Sequence, residues 1–313
     1  MQLDIMILFF MLGVVARLIG SELKLPKGLY QAISLFLMLA IGLKGGMALA
    51  EHVSLELITQ SLTIMLLGLL FPLIAFPILN KIGAFSKNDS AAIAAHFGSV
   101  SIGTFAVAIA LLESQNIVYE TYFPLFVVLL EFPAIVVGFM LAKDKNSNVS
   151  MSEWGKEIIS NQSMVLMFGG LIIGLIAGEQ SVKVMPLFSD LFYGVLALFL
   201  LEMGIVAAER IKDLKQNGLF LTAFSMVMPI INGTIGGAVG TFLGFSAGGI
   251  FLTIVLSASV SYIAVPLAMR SLLPTANHSL GLTASLGVAF PFNIVIGLPL
   301  YWLMASWYFN FVS

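Results

Sequence analysis

Two short polar runs interrupt an otherwise apolar chain, and they hold the residues best suited to chemistry. Residues 97–104 read Phe-Gly-Ser-Val-Ser-Ile-Gly-Thr, and residues 257–266 read Ser-Ala-Ser-Val-Ser-Tyr-Ile-Ala-Val-Pro. Gly98 and Gly103 weaken a helix through the first run, because glycine loses the most backbone freedom on ordering. Pro266 removes a backbone donor from the second and suits the first turn of a helix that restarts there. Unwound backbone offers free N–H groups to an anion and free carbonyls to a cation. The hydroxyls of Ser99, Ser101, Thr104, Ser259 and Ser261 add neutral ligands for either. The expected substrate-binding set is Gly98, Ser99, Ser101, Gly103, Thr104, Ser259, Ser261, Tyr262 and Ile263. Small residues also serve close packing in membrane helices, and the choice between the two readings turns on whether the runs correspond.

Ionisable residues inside apolar segments are costly and therefore candidates for function. Glu131 and Glu202 are the two deepest. Glu131 can ligate a cation or take up a proton, or can be a hydrogen-bonded packing residue. Arg17 and Lys44 lie near segment ends, where long side chains reach the interface. His96 reads as a packing donor, and Asn232 and Asn293 as neutral polar groups beside prolines. Enzyme motifs are absent: there is no His-Glu-x-x-His, no phosphate-cradling glycine loop, and no metal cluster among three scattered histidines. No cysteine occurs, so thiol chemistry and disulfides are excluded. The chain reads as a non-enzyme with no bound cofactor.

The elements that must position these groups are membrane helices. Hydrophobic residues make up 59% of the 313 and charged ones 10%, against about 25% charged in a soluble domain. Mean hydropathy is +1.05. A spanning helix needs roughly 20 apolar residues, and ten stretches qualify: 3–20, 28–49, 57–79, 89–112, 121–142, 164–178, 186–208, 218–243, 247–270 and 280–308. The first lacks a basic leader and a cleavage site, so it is expected to be retained. A short interfacial helix is expected at 151–160.

The ten stretches form two sets of five. At an offset near 160 residues, Met6-Ile7-Leu8-Phe9-Phe10 parallels Met164-Val165-Leu166-Met167-Phe168, and Ile41-Gly42-Leu43 parallels Met203-Gly204-Ile205. Phe71-Pro72-Leu73-Ile74 parallels Met228-Pro229-Ile230-Ile231, Ser99-Val100-Ser101 parallels Ser259-Val260-Ser261, and Phe132-Pro133 parallels Phe290-Pro291. Five helices is an odd number, so the second copy enters the membrane inverted, as in many secondary transporters. The expected architecture is all-α, with repeats at 1–142 and 164–313, a polar linker at 143–163, and helices broken at the fourth and ninth positions. Ten crossings place all of the 14 basic residues except Lys44 and Lys183 on one face. That face is expected to be cytoplasmic, with both termini periplasmic and the chain in a bacterial inner membrane.

Several motifs extend the serine runs: Gly42-Leu43-x-Gly45-Gly46-Met47-Ala48, Phe97-Gly98-x-Val100-Ser101-x-x-Thr104, Leu112-Glu113, Ile117-x-Tyr119-Glu120 and Pro133-Ala134. The second half adds Ala258-Ser259-x-Ser261-x-Ile263, Pro266, Arg270, Pro274, Ala276-Asn277 and Pro299-Leu300. Together they resemble the cyanobacterial sodium-dependent bicarbonate transporter family across essentially all ten segments. Glu131 stands where that family has an aspartate, and Tyr262, Ala264 and Val265 replace a segment with an aspartate and small residues. The resemblance implies a core-plus-gate fold of the bile-acid-symporter kind, a homotrimer, and secondary transport of bicarbonate with Na⁺ as coupling ion. It implies a bicarbonate site between the broken helices, with Na⁺ on Ser101, Thr104, Glu131, Ser259, Ser261 and Asn293. H⁺- or Na⁺-coupled transport of another small carboxylate is the alternative. The family's long cytoplasmic insert is missing, so no regulatory partner is expected, nor any nucleic acid.

Overall fold

A computed structural model describes residues 5–52, 54–143 and 160–312; the interfacial helix expected at 151–160 falls outside them but for its last residue. The first half comprises α1 (Ile5–Leu18), α2 (Lys27–Glu51), α3 (Leu55–Pro77), α4 (Lys87–Gly98), α5 (Ile102–Ser114) and α6 (Phe123–Ala142). The second comprises α7 (Gln162–Ala177), α8 (Phe192–Phe242), α9 (Ala247–Ala258), α10 (Ala264–Leu272) and, closing a helical run that begins at His278, α11 (Leu298–Val312). No strand occurs among the described residues.

Helix starts follow local chemistry. The hydroxyls of Ser54, Ser86 and Ser246 accept the N–H of the residue three positions on, each satisfying one donor that a helix N-terminus leaves open. Gly218, with φ 84° and ψ 154°, divides α8, because only glycine adopts that conformation without strain. Two π turns, Thr283–Ala289 and Asn293–Gly297, lie inside the run to α11.

Among the described residues, seven helices are long and apolar enough to cross a bilayer: Lys27–Glu51, Leu55–Ile82, Lys87–Ser114, Phe123–Ala142, Met185–Arg210, Gly218–Phe242 and His278–Phe311. Ile5–Leu18, Gln162–Ala177 and Ala247–Ala258 are apolar but shorter. With Leu8, Leu12, Ile58, Leu62, Ile172 and Ile176 exposed on outer faces, this is a multi-pass membrane protein. Lipid removes the usual gain from burying apolar surface, so helices associate through small residues that bring backbones close. A Cβ on Gly42 of α2 would overlap the Met167 carbonyl of α7, and one on Gly204 of α8 would overlap the Phe10 carbonyl of α1. These seams join α2 to α7 and α1 to the first part of α8. Most of α4 and α5 is buried within the bundle, carrying the first serine run to its interior.

Candidate functional site

Both serine runs break their helices. α4 ends at Gly98, and Ser99 (φ −105°, ψ 177°) and Ser101 (φ −110°, ψ 112°) are extended. Ser101 then caps α5, its hydroxyl accepting the Thr104 N–H at 3.1 Å and the Thr104 Oγ1 hydrogen at 2.9 Å. α9 ends at Ala258 with Ser259 extended (φ −72°, ψ 159°), and α10 restarts at Ala264 with Pro266 in its first turn.

The breaks bond to each other although 158 residues separate the partners. The Ser101 N–H donates to Ser259 Oγ at 3.1 Å. The Ser261 N–H donates to the His96 carbonyl at 2.9 Å, and His96 Nδ1 meets the Ser261 carbonyl at 2.6 Å. A carbonyl can only accept, so the His96 proton sits on Nδ1. Two asparagines hold the carbonyls where the half-helices end: Asn232 Nδ2 donates to Phe97 and Asn293 Nδ2 to Ala258, each at 2.9 Å. Buried backbone groups need partners, and these side chains supply what the interrupted helices lack.

A cavity of about 10 Å³ lies between the breaks, lined by Val100, Ser101, Ile102, Glu131, Ser261, Tyr262 and Ile263. That volume holds roughly one water-sized particle. Glu131, 3% exposed, accepts the Ser99 hydroxyl at 2.9 Å. No Lys or Arg lines this cavity. Next to it is a vestibule of about 360 Å³ whose walls include Tyr30, Gln31, Ser34, Gln162, Ser163, Tyr262, Ile263 and Arg270. A third space of about 450 Å³, lined by Met65, Leu129, Phe132 and Phe168, is apolar and shares no lining residue with the small cavity. It suits an acyl chain better than a small ion.

The expected residues separate into several positions. Ser101, Glu131, Ser261, Tyr262 and Ile263 line the small cavity. Ser99, Thr104 and Ser259 stand one bond behind it, with Ser259 Oγ also donating to the Leu256 carbonyl at 2.8 Å. Gly98 and Gly103, expected to weaken the helix, flank the break as the last residue of α4 and the second of α5. Their small size serves contact: a Cβ on Gly98 would overlap Pro72, and one on Gly103 would lie 2.6 Å from the Tyr262 hydroxyl. Asn293 is placed behind the second break, with its amide nitrogen on Ala258 and its oxygen accepting from Tyr301 at 2.7 Å. Glu202 accepts the Leu25 N–H at 2.9 Å and stays away from the breaks. Sequence reasoning missed the vestibule. Its signal was a stripe on α2 at fourfold spacing, Tyr30, Ser34 and Met38.

A helical membrane bundle with broken helices meeting on a small polar cavity has the form of a solute transporter. The sequence profile of the Na⁺-dependent bicarbonate transporter superfamily matches residues 5–306, and the chain belongs to that family. No curated protein matches it. Family membership agrees with the absence of enzyme motifs.

Proposed function

We propose that this protein imports bicarbonate together with Na⁺ across a bacterial inner membrane by alternating access. One observation carries the reading: the two breaks meet on a cavity lined by two serines, a tyrosine and a carboxylate, at the residues that open α5 and α10. Helix N-termini carry partial positive charge and favour an anion. Hydroxyl, carbonyl and carboxylate oxygens suit a hard monovalent cation. Ser101, Ser261 and Glu131 are the proposed Na⁺ ligands, with Thr104 and Ser259 orienting them and Asn293 fixing the break from behind. The bicarbonate site lies against the N-terminal ends of α5 and α10, Tyr262 and Ile263. Since no basic side chain lines the cavity, the accompanying cation offsets the anion's cost, by about 4 kcal/mol at 4 Å and an effective dielectric of 20.

Alternating access follows from ten crossings in two inverted repeats, 1–142 and 164–313, joined by a cytoplasmic linker. The corresponding breaks support this, as do the paired seams: Gly42 and Gly204, which align under the repeat, each press on a carbonyl of the partner half. Trimeric assembly belongs to the same proposal and is supported by the family alone. A second reading, H⁺-coupled transport of another small carboxylate, is favoured by the depth of Glu131, which can carry a proton instead of facing Na⁺. Uptake of radiolabelled bicarbonate into liposomes decides between them. The expected result is loss of uptake when K⁺ replaces Na⁺ at fixed pH. Uptake that persists in K⁺, follows a proton gradient and vanishes in Glu131→Gln would establish the second reading.

A further inference from the structure

We infer that the Tyr262 ring is a removable partition between the vestibule and the small cavity, so that its displacement gives the cavity access to the vestibule. The inference rests on the reading of the breaks as the transport site and adds the element that controls entry.

Three observations carry it. Tyr262 and its neighbour Ile263 are the residues common to the walls of both spaces, so the ring stands between a volume of about 360 Å³ and one of about 10 Å³. The Tyr262 hydroxyl is buried and makes no well-formed hydrogen bond to any described residue, although Ser101 and the Gly103 backbone lie beside it. A buried hydroxyl without a well-formed partner is costly, so the ring is seated without a strong polar anchor. The seat itself is shaped by absence: Gly103 has no side chain, and a Cβ there would come 2.6 Å from the hydroxyl.

What holds the ring is aromatic contact. It stacks on Phe199 at 6.3 Å and 22°, and meets Phe290 edge-on at 5.0 Å and 70°. Such pairs are individually weak, which permits thermal exchange between seated and displaced positions. The ring also sits within the non-helical stretch 259–263, where no helical bonding resists rotation of the backbone. The adjoining space able to receive it is the vestibule. The partition therefore separates a cavity that admits one small ion from a chamber with room for a hydrated anion.

The test uses the absence of native cysteine. Ser101→Cys places a thiol in the small cavity, and Ser34→Cys places one in the vestibule. Each variant is purified in lipid nanodiscs and reacted with methanethiosulfonate ethylammonium, and labelling rates are compared with Tyr262 intact, Tyr262→Ala and Tyr262→Phe. A partition closed in about 99% of molecules slows labelling about a hundredfold. The expected result is a rise of about tenfold or more at position 101 in Tyr262→Ala, with position 34 unchanged and Tyr262→Phe still protected. Equal rates at position 101 would overturn the inference, as would a parallel rise at position 34. A Tyr262→Phe variant as open as Tyr262→Ala would overturn the ring as barrier. If Ser101→Cys does not fold, Ser261→Cys reports on the same cavity with the same outcomes. A protein that carried no bicarbonate would fail the uptake assay and still show this difference, so the two readings fail separately.

Discussion

The first break occupies residues 99–101 and opens its helix with a local serine cap, whereas the second occupies 259–263 and is held mainly from outside itself. In the first, Ser99 donates to Glu131, and Ser101 caps α5 through two bonds to Thr104. In the second, Ile263 opens α10 without a side-chain cap, and the nearest substitute is a long 3.4 Å contact from the Val265 N–H to Ser261 Oγ. His96, Asn293 and Ser101, all from other segments, supply most of its remaining bonds. Local bonds stiffen a segment, while bonds from outside transmit motion of the elements that provide them. The comparison teaches that a sequence repeat need not repeat mechanics. One copy is a fixed wall, and the other is the wall that can yield.

Removing the charge at the fixed wall has the largest expected effect. Glu131→Gln keeps an acceptor for Ser99 but withdraws the negative charge from the proposed Na⁺ site, and hydrogen bonds to charged groups are worth about 1.5–3 kcal/mol. Na⁺-dependent uptake is expected to fall about 10- to 100-fold, while thermal stability in detergent stays near wild type. Unchanged uptake would show that the first break does not hold the cation.

The asparagines come next and separate the breaks by stability. Asn293→Ala leaves both the Ala258 carbonyl and the buried Tyr301 hydroxyl without this partner, whereas Asn232→Ala strips only the Phe97 carbonyl. Each orphaned buried group costs about 1–3 kcal/mol. A thermal-shift comparison is expected to show the greater loss in Asn293→Ala, and equal losses would break the claim that the second break depends more on outside support.

The smallest effect concerns the serines themselves. Ser101→Ala deletes a helix cap, at about 1 kcal/mol, and Ser261→Ala deletes the long contact to Val265. Apparent melting temperatures should therefore drop measurably for the first and little for the second. The reverse order would make the second break the stiffer one.

The positions of the breaks were legible because Gly, Ser and Pro together oppose a continuous helix wherever they cluster. Their extents were not. Gly98 and Gly103 remain helical because contacts with Pro72 and Tyr262, remote in sequence, use the room their missing side chains provide. Asn293 reads locally as a free ligand, yet its amide is taken up by Ala258 and Tyr301. Segment counting was legible where helices are long. α1, α7 and α9 have 14, 16 and 12 residues, short of a full crossing by themselves, so their membrane role depends on packing against longer neighbours. The vestibule needed four separate helices to exist at all, and only its α2 stripe left a trace in the sequence.

The two π turns before α11 bear on how the chain compares with its kin. A π turn bonds each N–H one residue farther back than an α turn does, and such turns are usually single bulges inside α-helices. Each corresponds to one inserted residue that the helix absorbs as a local bulge while the faces on either side keep their direction. Thr283–Ala289 and Asn293–Gly297 are thus two places where one helix accommodates an extra residue, the second of them opening at Asn293, whose amide reaches Ala258. Deleting one residue from either turn should restore the α register downstream, which makes these the positions in this helix where evolution can change chain length without rotating a face.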